Sequence, residues 1–370
     1  MSGSVRPQSG LDRIRPYVPG KPIDEVKRRY GLEDVIKLAS NENPLGVSPK
    51  ALEAMAAALS GVNLYPDGSS YALREALSER FALPIDSIAV GNGADDLILQ
   101  ISIAYLDQGD SVIVSRSSFP MYDIYAHAMR ADLVKTELAS GYRIDLRAMA
   151  AAVEERTKLI YVCNPNNPTG TIVTSKEVDR FLGSVPESVL IVFDEAYFEM
   201  VDSPSYPDTL SYVREGRGNV IVLRTFSKAY GLAGIRLGYG FGHPETIAPL
   251  FKVKPAFSVN ALAQAAGIAA LADDDFLRRS IESNKREREF LYRGFDRLGL
   301  EYAESHTNFV LVRIGPQAIL VHEELLKTGV IVRPCSGYDL PDYLRISIGT
   351  RAENERLLAG LERVLGGDKR

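Results

Sequence analysis

Lys228 stands in a setting that could do chemistry. It lies in TFSKAYGLAGIR, Thr225–Arg236, directly after the apolar run NVIVLRTF, and Arg236 follows eight positions later. The run reads as a buried strand, so the lysine falls just past a strand end. Burial lowers the pKa of an ammonium and frees the amine to attack a carbonyl. Such an amine can form a Schiff base with pyridoxal phosphate, PLP. A solvated lysine on a loop is the competing reading, and the other strand ends have to decide between them.

The run VLIVF ends at Asp194. A carboxylate there is costly unless it meets a cation. A protonated pyridine nitrogen is one such partner, and the pairing keeps the ring electron-withdrawing. A helix N-cap is the other reading. Tyr197, three residues on, could hydrogen-bond the phenolic oxygen of the same cofactor. The run KLIYVC leads into NPNNPTG, whose prolines force a turn and present Asn164, Asn166 and Asn167. An asparagine amide could donate to that phenolic oxygen beside Tyr197.

GNGADDL places Gly93 before a helix start, with Asp95 and Asp96 in the first turn. Glycine lets the backbone approach an anion, and helix N-terminal amides favour phosphate. The stretch is not GxGxxG, so it is no dinucleotide fingerprint, and a plain turn would also account for it. Thr225, Ser227 and Arg236 could add phosphate contacts. Phe119, after the run SVIVS, could stack on a pyridine face or belong to the core. Arg333 follows GVIV, and Arg345 lies within YLRISIG. An arginine in an apolar strand calls for a carboxylate or phosphate, from a ligand or from an internal salt bridge.

These residues need a frame. Between about 88 and 241 the runs SVIVS, KLIYVC, SVLIVF and NVIVLR alternate with helical or loop segments. Continuous apolar runs joined by helices predict an α/β fold with a mostly parallel sheet buried on both faces. Ligands bind such sheets beyond the carboxyl ends of the strands. After Pro255 an Ala-rich stretch, a charged helix over 274–298, and the strands NFVLVRI, GVIVRP and YLRISIG read as a smaller α+β unit. The expected organisation is an N-terminal arm over 1–30, a large domain over 31–255 and a small domain over 256–370.

Composition excludes several classes of function. The 43 basic and 48 acidic residues leave a net charge of −5, with a pI near 5.6. There is no electrostatic case for nucleic acid. No run approaches a membrane span, and the N-terminus has no apolar signal region. The two cysteines, Cys163 and Cys335, suggest a reducing compartment, so the cytoplasm is expected. No metal site is expected.

Taken together, SNENPLG, LYPDG, GNGADDL, NPNNPTG, DEAY, SKAYGLAGIRLGY and LRISIGT occur in an order and at spacings that resemble the histidinol-phosphate aminotransferases, among the fold-type-I PLP enzymes. The resemblance covers nearly the whole chain. It implies that Lys228 carries the cofactor and then shuttles a proton between substrate and cofactor. It implies Asp194 on the pyridine nitrogen, Asn167 and Tyr197 on the phenolic oxygen, and Phe119 on the ring, where the family often has tyrosine. Gly93, Ala94, Asp95, Thr225, Ser227 and Arg236 would surround the phosphate. Tyr65 of LYPDG would reach the cofactor of a second subunit, which implies a homodimer. Tyr17, Asn43, Arg333 and Arg345 match substrate-binding positions. The reaction implied is L-histidinol phosphate with 2-oxoglutarate. An aromatic aminotransferase, a PLP decarboxylase or lyase, and a non-catalytic PLP-binding protein are the alternatives.

Overall fold

The computed structural model of the chain describes residues 5–366. The outermost residues of the expected arm and C-terminal domain, 1–4 and 367–370, lie outside the described residues. The strands are β1 (Ile36–Leu38), β2 (Ile88–Gly91), β3 (Ser111–Ser115), β4 (Asp132–Thr136), β5 (Leu138–Ala139), β6 (Arg143–Ile144), β7 (Thr157–Cys163), β8 (Leu190–Asp194), β9 (Val220–Thr225), β10 (Gly238–Gly242), β11 (Phe309–Arg313), β12 (Val330–Pro334) and β13 (Tyr343–Ser347). β5 and β6 form a short ribbon of their own.

The larger sheet has the order β2-β10-β9-β8-β7-β3-β4. β9, β8, β7, β3 and β4 run parallel, whereas β10 is antiparallel to both β9 and β2. Every residue of β3, β8 and β9 is buried. That is why these strands read as unbroken apolar runs rather than as alternating ones. The register aligns their ends: Cys163 of β7 pairs with Asp194 of β8, and Asp194 pairs with Leu223 of β9. Three consecutive strands therefore deliver Asn164, Asp194 and Ser227 to one edge of the sheet.

β10 carries no apolar-run signal because it reads GYGFG. Its glycines are what the packing requires. A Cβ on Gly238 would fall inside the backbone nitrogen of Ala94, so only glycine lets the start of the helix Ala94–Tyr105 lie this close to the sheet.

The smaller sheet has the order β1-β12-β13-β11. Two stretches depart from the expected division. β1 was expected within the large domain, but it pairs in parallel with β12, Ile36 opposite Val330, and Leu38 lies in the second core. A three-residue strand reads the same in either sheet until its partner is known. The Ala-rich helix Ala261–Leu271 was expected in the small domain, yet Ala263, Ala266 and Ala270 belong to the first core. Its small side chains let it nest against Leu73 and Leu237 at Gly267. The helix Asp274–Leu298 then spans both layers: Leu277 packs on the first core, and Leu291 and Phe295 lie in the second.

Gly238→Ala should cost about 1–3 kcal/mol, because backbone rather than a side-chain tip has to move. Gly183→Ala, in the helix Ser175–Ser184 with open space around it, should be neutral or gain up to about 1 kcal/mol. Thermal melts of the two variants check this, and equal shifts would contradict the packing described.

Candidate active site

The strand ends open into a cavity of about 330 Å³. Lys228 is in its wall, in the turn that follows β9, where Gly231 N donates to its carbonyl. The side chain is half-buried, and its Nζ donates to Ser40 O at 3.3 Å. Burial, and then the nearby positive charge of Arg345, lower its pKa to about 8. The solvated-loop reading is thereby set aside.

Asp194 lies at the end of β8 and is 4% exposed. Its Oδ2 accepts from the Tyr122 hydroxyl at 2.6 Å, and its Oδ1 accepts from Ala196 N at 3.2 Å. It caps no α-helix: the chain turns instead into a three-residue 3-10 segment, Phe198–Met200. Burial pushes the carboxyl up to about 6. Tyr197 lines the cavity, and its hydroxyl accepts from Asn41 Nδ2 at 2.8 Å. Asn167 gives its amide oxygen to Arg345, which leaves its amide nitrogen as the donor for the cavity. Asn164 and Asn166 are spent on the loop itself, accepting from Val173 N and donating to Ser117 O. Phe119 lines the cavity with its ring edge-on to Tyr122.

One end of the cavity suits a dianion. Gly93 has a φ of 92°, and the helix begins at Ala94. A Cβ on Gly93 would meet Arg236 Nη2 at 2.5 Å, so glycine admits the guanidinium over the helix N-terminus. Arg236 itself sits in the left-handed region, and its Nη1 approaches Ser227 Oγ at 3.5 Å. Thr225, Ser227 and Ala94 line the same end. Asp95 is pushed up by burial; Tyr125 donates to its Oδ2, and its Oδ1 has no partner. The donor set is that of a phosphate ester site: helix amides, two hydroxyls and one guanidinium.

Arg345 occupies the other side. It is 4% exposed, with Nη1 on Asn167 Oδ1 at 2.5 Å and Tyr338 at 3.3 Å, and Nη2 on Ala39 O at 2.8 Å. Its Nε is buried without a partner. All its acceptors are neutral. The internal salt-bridge reading does not hold for it among the described residues. Arg333 lies behind the cavity rather than in its wall. It donates to Val18 O at 2.6 Å and sits 5.5 Å from the centre of the Tyr17 ring. It therefore ties the N-terminal arm down and places Tyr17 against the cavity.

Asn43 is not in the cavity wall, and Tyr65, expected at a second subunit's site, lies outside this chain's own cavity. Asn43 is spent on Ala229 O and Ser280 Oγ, both at 2.9 Å. Asn41 takes the cavity position instead, held at a φ of 55° by Ser347. Tyr65 is 81% exposed and stacks on Phe257, outside the cavity. Sequence reasoning passed over Asn41, Glu42, Tyr122 and Tyr338. Asn41 was visible as the first asparagine of SNEN, and Tyr122 as the aromatic three residues after Phe119. No grouping of three or more His, Cys, Asp or Glu suited to a metal occurs among the described residues.

Comparison with known proteins bears on this geometry. The family profile described as aminotransferase class I and II matches residues 33–361. The histidinol-phosphate aminotransferase of Moorella thermoacetica is 47% identical over 95% of this chain and 91% of its own. That of Symbiobacterium thermophilum is 45% identical over 98% and 99%. The crystal structure of histidinol-phosphate aminotransferase from Sinorhizobium meliloti in complex with pyridoxal-5'-phosphate superposes with a TM-score of 0.89 at 31% identity, covering 99% of both chains.

The depressed pKa of Lys228 has a sign. Its folded value of about 8 lies below the ordinary 10.5, so the full penalty is present below pH 8 and is relieved as pH rises toward 10.5. Lys228→Met should therefore stabilise the cofactor-free protein at pH 7 by up to about 3 kcal/mol, with the gain shrinking toward pH 10. Denaturant unfolding at both pH values checks it, and a destabilised variant at pH 7 would contradict the burial of this charge.

Proposed function

The chain belongs to the aminotransferase class I and II family, and on that premise we propose that it uses PLP to exchange the amino group of L-histidinol phosphate with 2-oxoglutarate, giving imidazole acetol phosphate and L-glutamate. The observation that carries the cofactor assignment is that two groups without a counter-charge, the half-buried Lys228 and the buried Asp194, share the wall of one cavity with the phosphate cradle. Bound there, PLP would supply an aldehyde for the amine and an electron-poor ring that accepts the electron pair released at the substrate α-carbon.

The protein's own groups divide the remaining work. Lys228 Nζ would hold the cofactor through its aldehyde carbon and, as a free amine, would take up and return the proton of the substrate α-carbon. Its lowered pKa keeps a useful neutral fraction near pH 7. Asp194 holds the proton on the ring nitrogen. Asn167 Nδ2 and the Tyr197 hydroxyl would bind the phenolic oxygen, and Phe119 would pack against the ring. Gly93, Ala94, Asp95, Thr225, Ser227 and Arg236 surround the phosphate. Arg345 binds the phosphate of the donor, and later a carboxylate of the acceptor; its unpartnered Nε and purely neutral neighbours support an anionic ligand. Tyr17 closes that side. The names of the relatives favour a phosphate over an α-carboxylate as the donor's anion. Both substrates use one site, so the kinetics should be ping-pong.

The same reading makes the enzyme a homodimer. Leu59, Val62, Leu64, Tyr65 and Phe257 are all exposed, with Tyr65 stacked on Phe257, and a second copy would cover them, with Tyr65 reaching the partner's cofactor phosphate. Cys163 and Cys335 are buried free thiols, which supports a reducing, cytoplasmic setting.

Histidinol phosphate added to the holoenzyme should bleach the cofactor's visible band quickly, whereas phenylalanine and tyrosine should not. The reverse order would favour the aromatic aminotransferase reading. Arg345→Ala should lower kcat/KM for the phosphorylated donor by roughly 10²- to 10³-fold, the scale of removing one partner of a buried charged pair. Mixing inactive Lys228→Ala subunits with Tyr65→Ala subunits should restore activity, because the hybrid contains one site with both residues intact. Activity no greater than the sum of the separate variants would argue against donation across the interface.

A further inference from the structure

The phenol of Tyr122 has no place in the roles assigned so far. Tyr122 is the second residue of the helix Met121–Ala128, which follows β3, and it is 1% exposed. It does not line the cavity. Its ring is stacked on Tyr161, with centroids 4.5 Å apart and planes 8° from parallel. The two hydroxyls nonetheless have different partners. Tyr161 reaches Ser102 Oγ at 3.3 Å and Ile98 O at 3.5 Å and makes no hydrogen bond to Asp194. Tyr122 donates to Asp194 Oδ2 at 2.6 Å.

That bond is the shorter of the two that hold the Asp194 carboxylate, the other being Ala196 N at 3.2 Å. A short O–H···O⁻ bond is about twice as strong as a neutral one. It also removes rotational freedom: with Oδ2 fixed by the phenol and Oδ1 by the backbone, the remaining lone pairs have one orientation. The charged and titratable neighbours do not substitute for it. Asp95, from the helix Ala94–Tyr105, and Glu195, next along the chain, are acidic and disfavour a second negative charge. Glu195 is itself paired with Arg224 at 2.8 Å. Tyr125, on the same helix as Tyr122, is used by Asp95. The Cys163 thiol is neutral, pushed up to about 12 by burial. Lys228 shares the cavity wall with Asp194, but no hydrogen bond or ion pair joins the two among the described residues, and the influence of Asp194 on the amine ranks below that of burial and Arg345.

We propose that Tyr122 is the positioning residue of Asp194: its hydroxyl orients the carboxylate and keeps it ionised, so that Asp194 can hold a proton on the cofactor's ring nitrogen. The proposal rests on the reading of the cavity as a PLP site. Removing the hydroxyl leaves a fully buried carboxylate with one long backbone donor and two acidic neighbours. It then takes up a proton at a higher pH than before and ceases to serve as a counter-charge.

Tyr122→Phe deletes the hydroxyl and keeps the ring and its stack. In the holoenzyme, kcat should fall about 10- to 100-fold with little change in KM. The acidic limb of the kcat–pH profile should move to higher pH, so that part of the loss is recovered on the alkaline side. Titration of the apoprotein with PLP should show about tenfold weaker binding. Tyr161→Phe, in the stacked neighbour, should leave the acidic limb where it is. In an Asp194→Asn background Tyr122→Phe should cost little more, because the group it acts through is gone. Should the phenylalanine variant fold poorly, Tyr122→His keeps a donor and should lie closer to wild type in the acidic limb. An unmoved acidic limb and unchanged PLP affinity in Tyr122→Phe, with wild type binding PLP normally, would overturn this role alone. Failure of wild type to take up PLP would overturn the cofactor reading itself.

Discussion

The cost of burying a charge without its counter-charge governs this structure. Asp194 and Arg345 are removed from bulk water and Lys228 is partly so, all around one cavity, and none forms an ion pair with another. One layer deeper the protein handles the same problem differently. Arg224 and Glu195 are 1% and 0% exposed and meet at 2.8 Å, with Thr209 and Tyr206 completing the acid. That pair is self-sufficient. The cavity groups are not: a cofactor that brings an aldehyde, a ring cation and a phosphate, together with a substrate that brings a second anion, would complete each of them. Fold stability is given up at Lys228 and Asp194, and the binding site is where it is recovered.

The sheet architecture makes this arrangement possible. Parallel strands of equal burial put their carboxyl ends in one plane, so Asp194 and the turn carrying Lys228 arise from neighbouring strands without any special local sequence. β10 departs from the parallel pattern, and its glycines allow the helix Ala94–Tyr105 to bring its N-terminal amides down to the same edge. The second sheet contributes from the other side. Arg345 of β13 reaches Asn167, and Ser347 holds Asn41, a contact spanning 306 positions of the chain. Because β1 belongs to that sheet, Ala39–Glu42 passes directly from it into the cavity wall.

Much of this was legible in the sequence, for physical reasons that can be named. A strand buried on both faces must read as an apolar run, so a charged or amide residue at its end is conspicuous; Asp194, Lys228 and the turn Asn164–Asn167 were found in that way, and Arg345 as a charge inside such a run. The pieces that were not legible depend on three-dimensional partners. GYGFG does not resemble a strand, because its glycines answer to the backbone of Ala94 rather than to a periodicity. The choice between Asn41 and Asn43 turns on which one Ser347 and which one Ser280 captures, and neither serine is near in sequence. Arg333 reads as a strand-end arginine, yet its guanidinium is taken by the arm at Val18. Tyr122 looks like any core aromatic until the direction of its hydroxyl is known.

The central claim is that Lys228 is the amine to which the cofactor is tethered. Borohydride reduction of the PLP-loaded protein, followed by mass mapping of its peptides, tests it most directly. The account predicts one pyridoxyl group per chain, on the peptide containing Lys228. A label spread over surface lysines, or one confined to a different residue, would contradict it.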